Sequence, residues 1–170
     1  MTRTRAPAEG RLWRCPDCGR GFANRNQSHF CGKHSLDAHF EGKDACVRKL
    51  FRAFLALLRR CGPVTVLPEK TRIAFQVRMS FAALSVRRTY LVGHFVLARR
   101  LEHPRFLSIQ TISPRNHVHQ FRLQTPADLD EEFSAWAREA YAVGQQKHLP
   151  VKRKRRTQGG SNRDTQDGQT

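Results

Sequence analysis

The chain has 170 residues, which is room for one ordinary domain and a small appendage, so a large multidomain enzyme is excluded. It carries 31 Lys and Arg against 14 Asp and Glu, a formal net charge of +17, while 39% of its residues are hydrophobic. The composition therefore allows a folded core, and the basic surplus favours a polyanionic partner, nucleic acid first. An Arg-rich composition also arises from coding bias, so the charge supports a polyanion partner only modestly.

The sequence lacks the marks of membrane insertion and secretion. No run approaches the ~18 consecutive apolar residues of a membrane-spanning helix, and residues 1–10 contain no apolar stretch typical of a signal peptide. Five cysteines are an odd number, and three of them lie between Cys15 and Cys31. This spacing favours reduced thiols and a metal site over a disulfide framework. We therefore expect a soluble cytoplasmic protein.

Four segments follow from the composition along the chain. Residues 1–11 are predicted to be a disordered basic arm, and residues 12–34 a small zinc-ribbon-like segment with too few large side chains for an unaided core. Residues 35–149 are predicted to form an α+β domain. Residues 150–170 are predicted to be a disordered basic tail.

Two helices are predicted on either side of a run of strands. After a short helical turn over residues 36–41, a longer helix is expected over residues 44–61, because apolar residues recur there at helical spacing. A second helix is expected over residues 126–143, since Thr125 and Pro126 are typical of a helix start. Its apolar face should pack across the sheet.

Between the helices the apolar period changes to two, as in Ile73, Phe75 and Val77. Strands are expected at residues 64–66, 73–77, 81–86, 91–98, 106–112 and 118–123. Five or six successive strands without intervening helices indicate an antiparallel sheet. The predicted fold class is therefore α+β: an antiparallel sheet of five or six strands with flanking helices, preceded by the zinc-ribbon-like segment.

The stretch Cys15-Pro16-Asp17-Cys18-Gly19 is the pattern of a zinc knuckle, in which two thiolates on a tight turn reach one ion. A redox dithiol would be expected at the start of a helix, whereas glycines follow here. Three residues further on are candidates for the two remaining ligand places: His29, Cys31 and His34. Spacing alone leaves that choice open. A site with four protein ligands is closed, so we expect a structural zinc rather than a catalytic one.

Several motifs resemble those of an uncharacterised bacterial family, the 5655-type domain of unknown function, sometimes labelled a predicted transport protein. The resemblance runs from Trp13 to Leu149. Besides the knuckle, it is carried by Phe22-Ala23-Asn24-Arg25-Asn26-Gln27-Ser28-His29 ending in Cys31, Lys70-Thr71-Arg72-Ile73-Ala74-Phe75, Ser113-Pro114-Arg115-Asn116-His117-Val118-His119 and Arg138-Glu139-Ala140-Tyr141. It implies a compact sheet with flanking helices, no known reaction, and His29 with Cys31 as the remaining ligands, with His34 as the alternative fourth ligand.

The stretch Arg115-Asn116-His117-Val118-His119 has two interpretations. If it is extended, His117 and His119 point to one face and could line a pocket for an anion or a second metal, with Arg72, Arg78 or Tyr90 nearby. The other interpretation is that the imidazoles hydrogen-bond at a sheet edge and stabilise a turn.

The leading functional hypothesis is a zinc-containing cytoplasmic binding module that binds nucleic acid through a basic surface. The alternative is a small-ligand or metal-handling domain around residues 115–119. An enzyme is the weaker hypothesis, because the sequence has few acids, no phosphate-binding Gly-rich loop and no recognisable nucleophile with its base. No membrane partner is expected, and neither a small ligand nor an oligomeric state is specified. The candidate contacts for a ligand or polyanion are Arg72, Arg78, Arg115, Asn116, His117, His119, Lys152, Arg153, Lys154, Arg155 and Arg156.

Overall fold

The structure is a computed structural model, and it describes residues 12–23, 25–26, 29, 31–32 and 34–148. The predicted basic arm, residues 1–11, and the predicted basic tail, residues 150–170, lie outside the described residues. The five candidate polyanion contacts at residues 152–156 therefore lie outside them as well.

The described chain has a two-stranded hairpin followed by a six-stranded antiparallel sheet with two α-helices, so the predicted α+β class is confirmed. The elements are β1 (Trp13–Arg14), β2 (Gly21–Phe22), α1 (Ala45–Cys61), β3 (Thr65–Pro68), β4 (Ile73–Gln76), β5 (Ser80–Val86), β6 (Leu91–Leu97), β7 (Phe106–Ser113), β8 (Asn116–Leu123) and α2 (Glu131–Gly144). Short 3₁₀ turns lie at Asp37–Phe40 and Pro126–Asp128.

Helix α1 has one apolar side and one basic side. It begins after Asp44, whose backbone is extended, and it ends before Gly62, as the apolar spacing predicts. The buried side is formed by Val47, Leu50, Phe51, Phe54, Leu57 and Leu58. This side packs on the core, so the charged residues of α1 face solvent.

Helix α2 begins later than predicted. Thr125 and Asp128 form a capping box around a 3₁₀ turn, and Leu129 then leaves helical geometry with ψ 46°. Asp130 starts the α-helix, because its carboxylate accepts a hydrogen bond from the backbone N–H of Phe133 at 2.9 Å. Two successive caps therefore divide the predicted helix over residues 126–143 into a 3₁₀ turn and a shorter α-helix.

The strand order in the large sheet is β3-β4-β5-β6-β8-β7, so β8 lies between β6 and β7. Both helices pack against the same face, where four phenylalanine rings make successive contacts with centroids 4.8–6.2 Å apart. These rings are Phe54, Phe95, Phe121 and Phe133. The opposite face carries a smaller buried cluster of Leu67, Ala74 and Ala83.

Strands β4, β6 and β7 end, and strands β5 and β8 begin, along the same side of the sheet, which runs across the strand ends. We call this the ribbon edge, because the N-terminal hairpin contacts β4 there through Gln76. No helix in the described part of the chain combines the length and the apolar character needed to cross a membrane.

Candidate metal centre

The knuckle at Cys15 is shaped by its backbone hydrogen bonds. The N–H of Gly19 donates to the carbonyl of Cys15 at 2.9 Å, and the N–H of Cys15 donates to the carbonyl of Arg20 at 3.0 Å. Gly19 has φ +69°, in the left-handed region that favours glycine. This tight turn brings the Cys15 and Cys18 side chains to the same side of the hairpin.

The structure brings together Cys15, Cys18, His29 and Cys31, whose ligand atoms all lie within 4.8 Å of one another. The Nε2 atom of His29 lies 3.2 Å from the Sγ atoms of both Cys18 and Cys31, and the Sγ atoms of Cys15 and Cys31 are 3.7 Å apart. The cluster could hold a metal ion. His34 is not part of the group among the residues that the structure describes.

Two aromatic rings support the imidazole of His29. Phe22 is 2% exposed, and its ring lies 4.1 Å from the His29 ring with an interplanar angle of 32°. Trp13 lies 6.1 Å from Phe22 and 6.4 Å from His29 between ring centroids. The hairpin therefore has a small aromatic core of its own, which sequence reasoning missed. The signal was an aromatic residue on each side of the knuckle, two residues before Cys15 and four after Cys18.

The buried side chain of Gln76 joins the hairpin to the sheet. Gln76, the last residue of β4, is 4% exposed, and its Nε2 donates to the carbonyl of Gly21 at 2.8 Å. Gln76 was not among the predicted functional residues, because in the alternation of β4 it occupies a polar position that ordinarily faces solvent. The contact places the cysteine cluster beside the ribbon edge.

Two thiols of the cluster, those of Cys18 and Cys31, have pKa values shifted in opposite directions. The pKa of Cys18 is lowered to about 7, mainly by a hydrogen bond from the backbone of Arg20 and further by His29 and the neighbouring thiols. The pKa of Cys31 is raised to about 11 by burial and by the proximity of Cys15 and Cys18. One thiolate is thus favoured, whereas a second beside it is disfavoured in the absence of a compensating cation.

The histidines of residues 115–119 are held by protein partners. His119 is fully buried; its Nε2 accepts from the backbone N–H of Leu101 at 2.9 Å, and its Nδ1–H donates to the carbonyl of His117 at 3.0 Å. Burial lowers the pKa of His119, so the ring is neutral. His117 is 8% exposed, and its Nδ1 bonds to Oγ1 of Thr111 at 3.0 Å. Both ring nitrogens of His119 are therefore used within the protein: Nε2 holds the loop at Leu101, and Nδ1 bonds to the backbone of β8.

Polar atoms without hydrogen-bond partners occur near this segment. Asn116 donates from Nδ2 to Oγ of Ser113 at 2.9 Å, but its Oδ1 is buried and has no partner among the described residues. Both ring nitrogens of His148 are also buried without a described partner. Burial lowers the pKa of His148, and the charge of Arg115 lowers it further.

Arg72 and Arg78 flank β4 at opposite edges of the sheet. Arg72 precedes β4 and pairs with Glu69 at 2.6 Å, whereas Arg78 follows β4 and donates to Oε1 of Gln146 at 3.3 Å. The whole length of β4 therefore lies between them. Only Arg78 lies at the ribbon edge with residues 115–119, so the expected neighbourhood of these histidines does not include Arg72.

Comparison with known proteins identifies a family. A family model described as "Domain of unknown function (DUF5655)" matches residues 36–144, which include both helices and the whole six-stranded sheet. No curated protein and no solved structure matches the chain significantly. The Cys/His cluster precedes the matched region and is an N-terminal addition to it. Because the matched region covers more than half of its residues, the chain belongs to the DUF5655 family.

Proposed function

We propose that Cys15, Cys18, His29 and Cys31 bind one structural Zn²⁺. The observation that carries this proposal is the closed cluster of three thiols and one imidazole. Zn–S and Zn–N bonds of about 2.3 and 2.0 Å in a tetrahedron place two sulfurs about 3.8 Å apart, and a sulfur and a nitrogen about 3.5 Å apart. The corresponding distances here are 3.7 Å and 3.2 Å. Soft thiolate ligands favour zinc over hard cations.

The role of this ion is to organise residues 12–34 and fix them against the sheet. Four protein ligands leave no open position for substrate or water. The hydrogen bond from Gln76 to Gly21 links the hairpin to the end of β4, so an ion that holds the hairpin in place also restrains it against this strand. Free thiols of this kind persist in a reducing compartment, which supports the cytoplasm as the location.

We further propose that this zinc-containing module binds nucleic acid through its phosphate backbone. The proposal is supported by the net charge of +17, which attracts polyanions over long range. The alternative pocket at residues 115–119 has less support, because His119 uses both of its ring nitrogens within the protein.

Metal analysis of Cys18→Ser tests the zinc proposal. Cys46→Ser is a matched control, since Cys46 is exposed on α1 and lies outside the cluster. Purified under reducing conditions, the unaltered protein and Cys46→Ser should each contain one zinc per chain. Cys18→Ser should lose most of its metal and melt at a lower temperature. Unchanged metal content and melting of Cys18→Ser would refute the structural zinc.

A second pair of variants tests the fourth ligand. Structural zinc binding amounts to roughly 10–16 kcal/mol, so losing one ligand of four should cost ~3 kcal/mol, or about 100-fold in metal affinity. Competition with a chromophoric chelator should show this loss for His29→Ala and near-normal affinity for His34→Ala. The opposite order would assign the fourth place to His34.

Nucleic-acid binding is measured by fluorescence anisotropy with a 20-base-pair DNA duplex at several salt concentrations. We expect binding that weakens steeply between 50 and 200 mM salt and that weakens further when residues 151–170 are deleted. Absence of binding even at low salt would refute this part of the proposal.

A further inference from the structure

The solvent-facing side of α1 carries cations and no acid. No Asp or Glu occurs within Ala45–Cys61, and four exposed basic residues lie along this side. They are Lys49, Arg52, Arg59 and Arg60, which we call the α1 stripe. With 3.6 residues per turn, all four fall within about 100° of the helix circumference and span about 16 Å along its axis.

The four stripe cations lie on one helix face and lack acidic partners. Other described arginines are ion-paired, as in Arg99 with Glu139 at 3.2 Å and Arg138 with Glu131 at 2.7 Å. Exposed arginines without an ion pair to a described residue also occur elsewhere, at Arg87, Arg88, Arg115 and Arg122. Even the neighbouring Arg48 on α1 pairs with Asp37 at 2.6 Å. None of the four stripe cations forms an ion pair with a described residue. Their positive charge is therefore uncompensated at short range.

The surface along the stripe is concave. A shallow depression of about 420 Å³ is lined by Arg52, Leu55, Ala56, Arg59 and Arg60. A second depression of about 240 Å³ is lined by Phe40, Lys43, Asp44, Ala45, Arg48, Lys49 and Arg52. Asp44 is the one carboxylate that lines either depression, and it lies at the end away from Arg59. Because Arg52 lines both, the two depressions are neighbours along α1, and we call the pair the α1 trough.

We propose that the α1 stripe is the surface that binds the phosphate backbone of duplex nucleic acid, independently of base sequence. A duplex carries one charge per about 1.7 Å of axis, so about ten phosphate charges lie along the ~16 Å of the stripe. Single-strand binding platforms stack bases on exposed aromatic rings. The exposed large apolar side chains of the described chain are instead Leu107 and Ile112, on β7. This inference rests on the proposed nucleic-acid binding and not on the zinc.

The test compares two quadruple variants of the full chain that lose the same four positive charges. One changes the stripe: Lys49→Gln, Arg52→Gln, Arg59→Gln and Arg60→Gln. The control changes four exposed arginines elsewhere: Arg99→Gln, Arg100→Gln, Arg122→Gln and Arg138→Gln. In the structure Arg122 lies over the ring of Tyr90, and the other three are ion-paired. Affinity for a 20-base-pair DNA duplex is measured by anisotropy from 50 to 200 mM salt.

Loss of four phosphate contacts should reduce the slope of log affinity against log salt by up to about 3.6 and weaken binding at 50 mM salt more than tenfold. The control should stay within about threefold of the unaltered protein. Equal losses of duplex affinity in the two variants would show that only net charge matters. No loss of affinity in the stripe variant would place the binding site elsewhere. Either result overturns the inference.

The single variants Arg52→Gln and Arg59→Gln guard against a quadruple variant that fails to fold, and each should reduce the slope by about 0.9. If the unaltered protein binds no duplex, the proposed nucleic-acid function itself has failed. Stripe-dependent binding to phosphatidylserine vesicles without any duplex binding would assign the α1 trough to a membrane surface and overturn the inference.

Discussion

The amide of Gln76 is the contact through which the N-terminal hairpin meets the sheet, and replacing it tests whether the two are coupled. Gln76→Leu keeps the volume of the side chain but removes the donor, leaving the carbonyl of Gly21 without its 2.8 Å hydrogen bond. An unsatisfied buried acceptor costs about 1–3 kcal/mol. Because Gly21 is only partly buried, water can reach its carbonyl in part, and we expect ~1–2 kcal/mol.

The assay is urea unfolding of the metal-loaded protein, combined with hydrogen exchange of residues 12–34. Gln120→Leu is the matched control, because Gln120 is exposed and its Oε1 accepts from Ser108 at 3.1 Å. Its free energy of unfolding should change by less than ~0.5 kcal/mol. Gln76→Leu should also speed hydrogen exchange in residues 12–34. Equal effects of the two substitutions, or unchanged exchange in the hairpin, would refute the coupling.

Substitutions at three further positions test the fold itself. Burial, and then the charge of Arg72, lowers the pKa of His94 to about 4. The unfolded chain therefore takes up a proton at a higher pH than the folded protein does. The free energy of unfolding should be at its full value above pH ~6.5 and fall by up to ~3 kcal/mol as the pH falls to ~4. In urea unfolding at pH 7.5 and 4.5, His94→Gln should lose less stability than the unaltered protein; an equal loss would contradict this. Gly93→Ala places a Cβ 2.5 Å from Cδ2 of Leu84 and 2.8 Å from the backbone oxygen of Ala83. This overpacking should lower the free energy of unfolding by ~1–3 kcal/mol. An unchanged urea unfolding midpoint would refute the close packing at Gly93. The pKa of Asp130 is lowered by the backbone N–H of Phe133 and by Arg105, so its contribution is present at neutral pH and lost as pH falls through the lowered pKa. Asp130→Ala should destabilise by ~1 kcal/mol at pH 7 and Asp130→Asn by less, as measured by thermal unfolding; similar losses would argue against a capping role.

The local elements follow from sequence patterns because each depends on nearby residues. The apolar spacing and Gly62 predict the limits of α1 to within a residue, and period-two alternation predicts six strands. The start of α2 was wrong because two successive caps compete, and pattern alone does not show that Leu129 leaves the helix between them.

Long-range arrangement was not predictable from the same patterns. The insertion of β8 between β6 and β7 depends on how strands pair across the sheet, which alternation does not encode. All four residues of β4 are buried, including Ala74 and Gln76, because both faces of this strand are covered. A single alternating pattern predicts one exposed face, so the anchoring role of Gln76 was missed.

The metal cluster was predictable in part. Cys15 and Cys18 form a knuckle by their spacing alone, whereas the choice between His29 and His34 came from the family resemblance. The structure places His29 between Cys18 and Cys31 and stacks it on Phe22. For His117 and His119, the period of two correctly places both side chains on one face of the sheet. Their hydrogen-bond partners include Thr111 on β7 and the loop at Leu101, and the alternation does not indicate these long-range contacts.

The most direct test of the central claim measures metal content and hydrogen exchange on one sample. The protein is purified under reducing conditions, its zinc is quantified, and exchange is compared before and after removal of the metal by a chelator. We predict one zinc per chain and loss of protection in residues 12–34 on removal, while residues 36–144 stay protected. A metal-free native protein with the same protection in residues 12–34 would contradict the account.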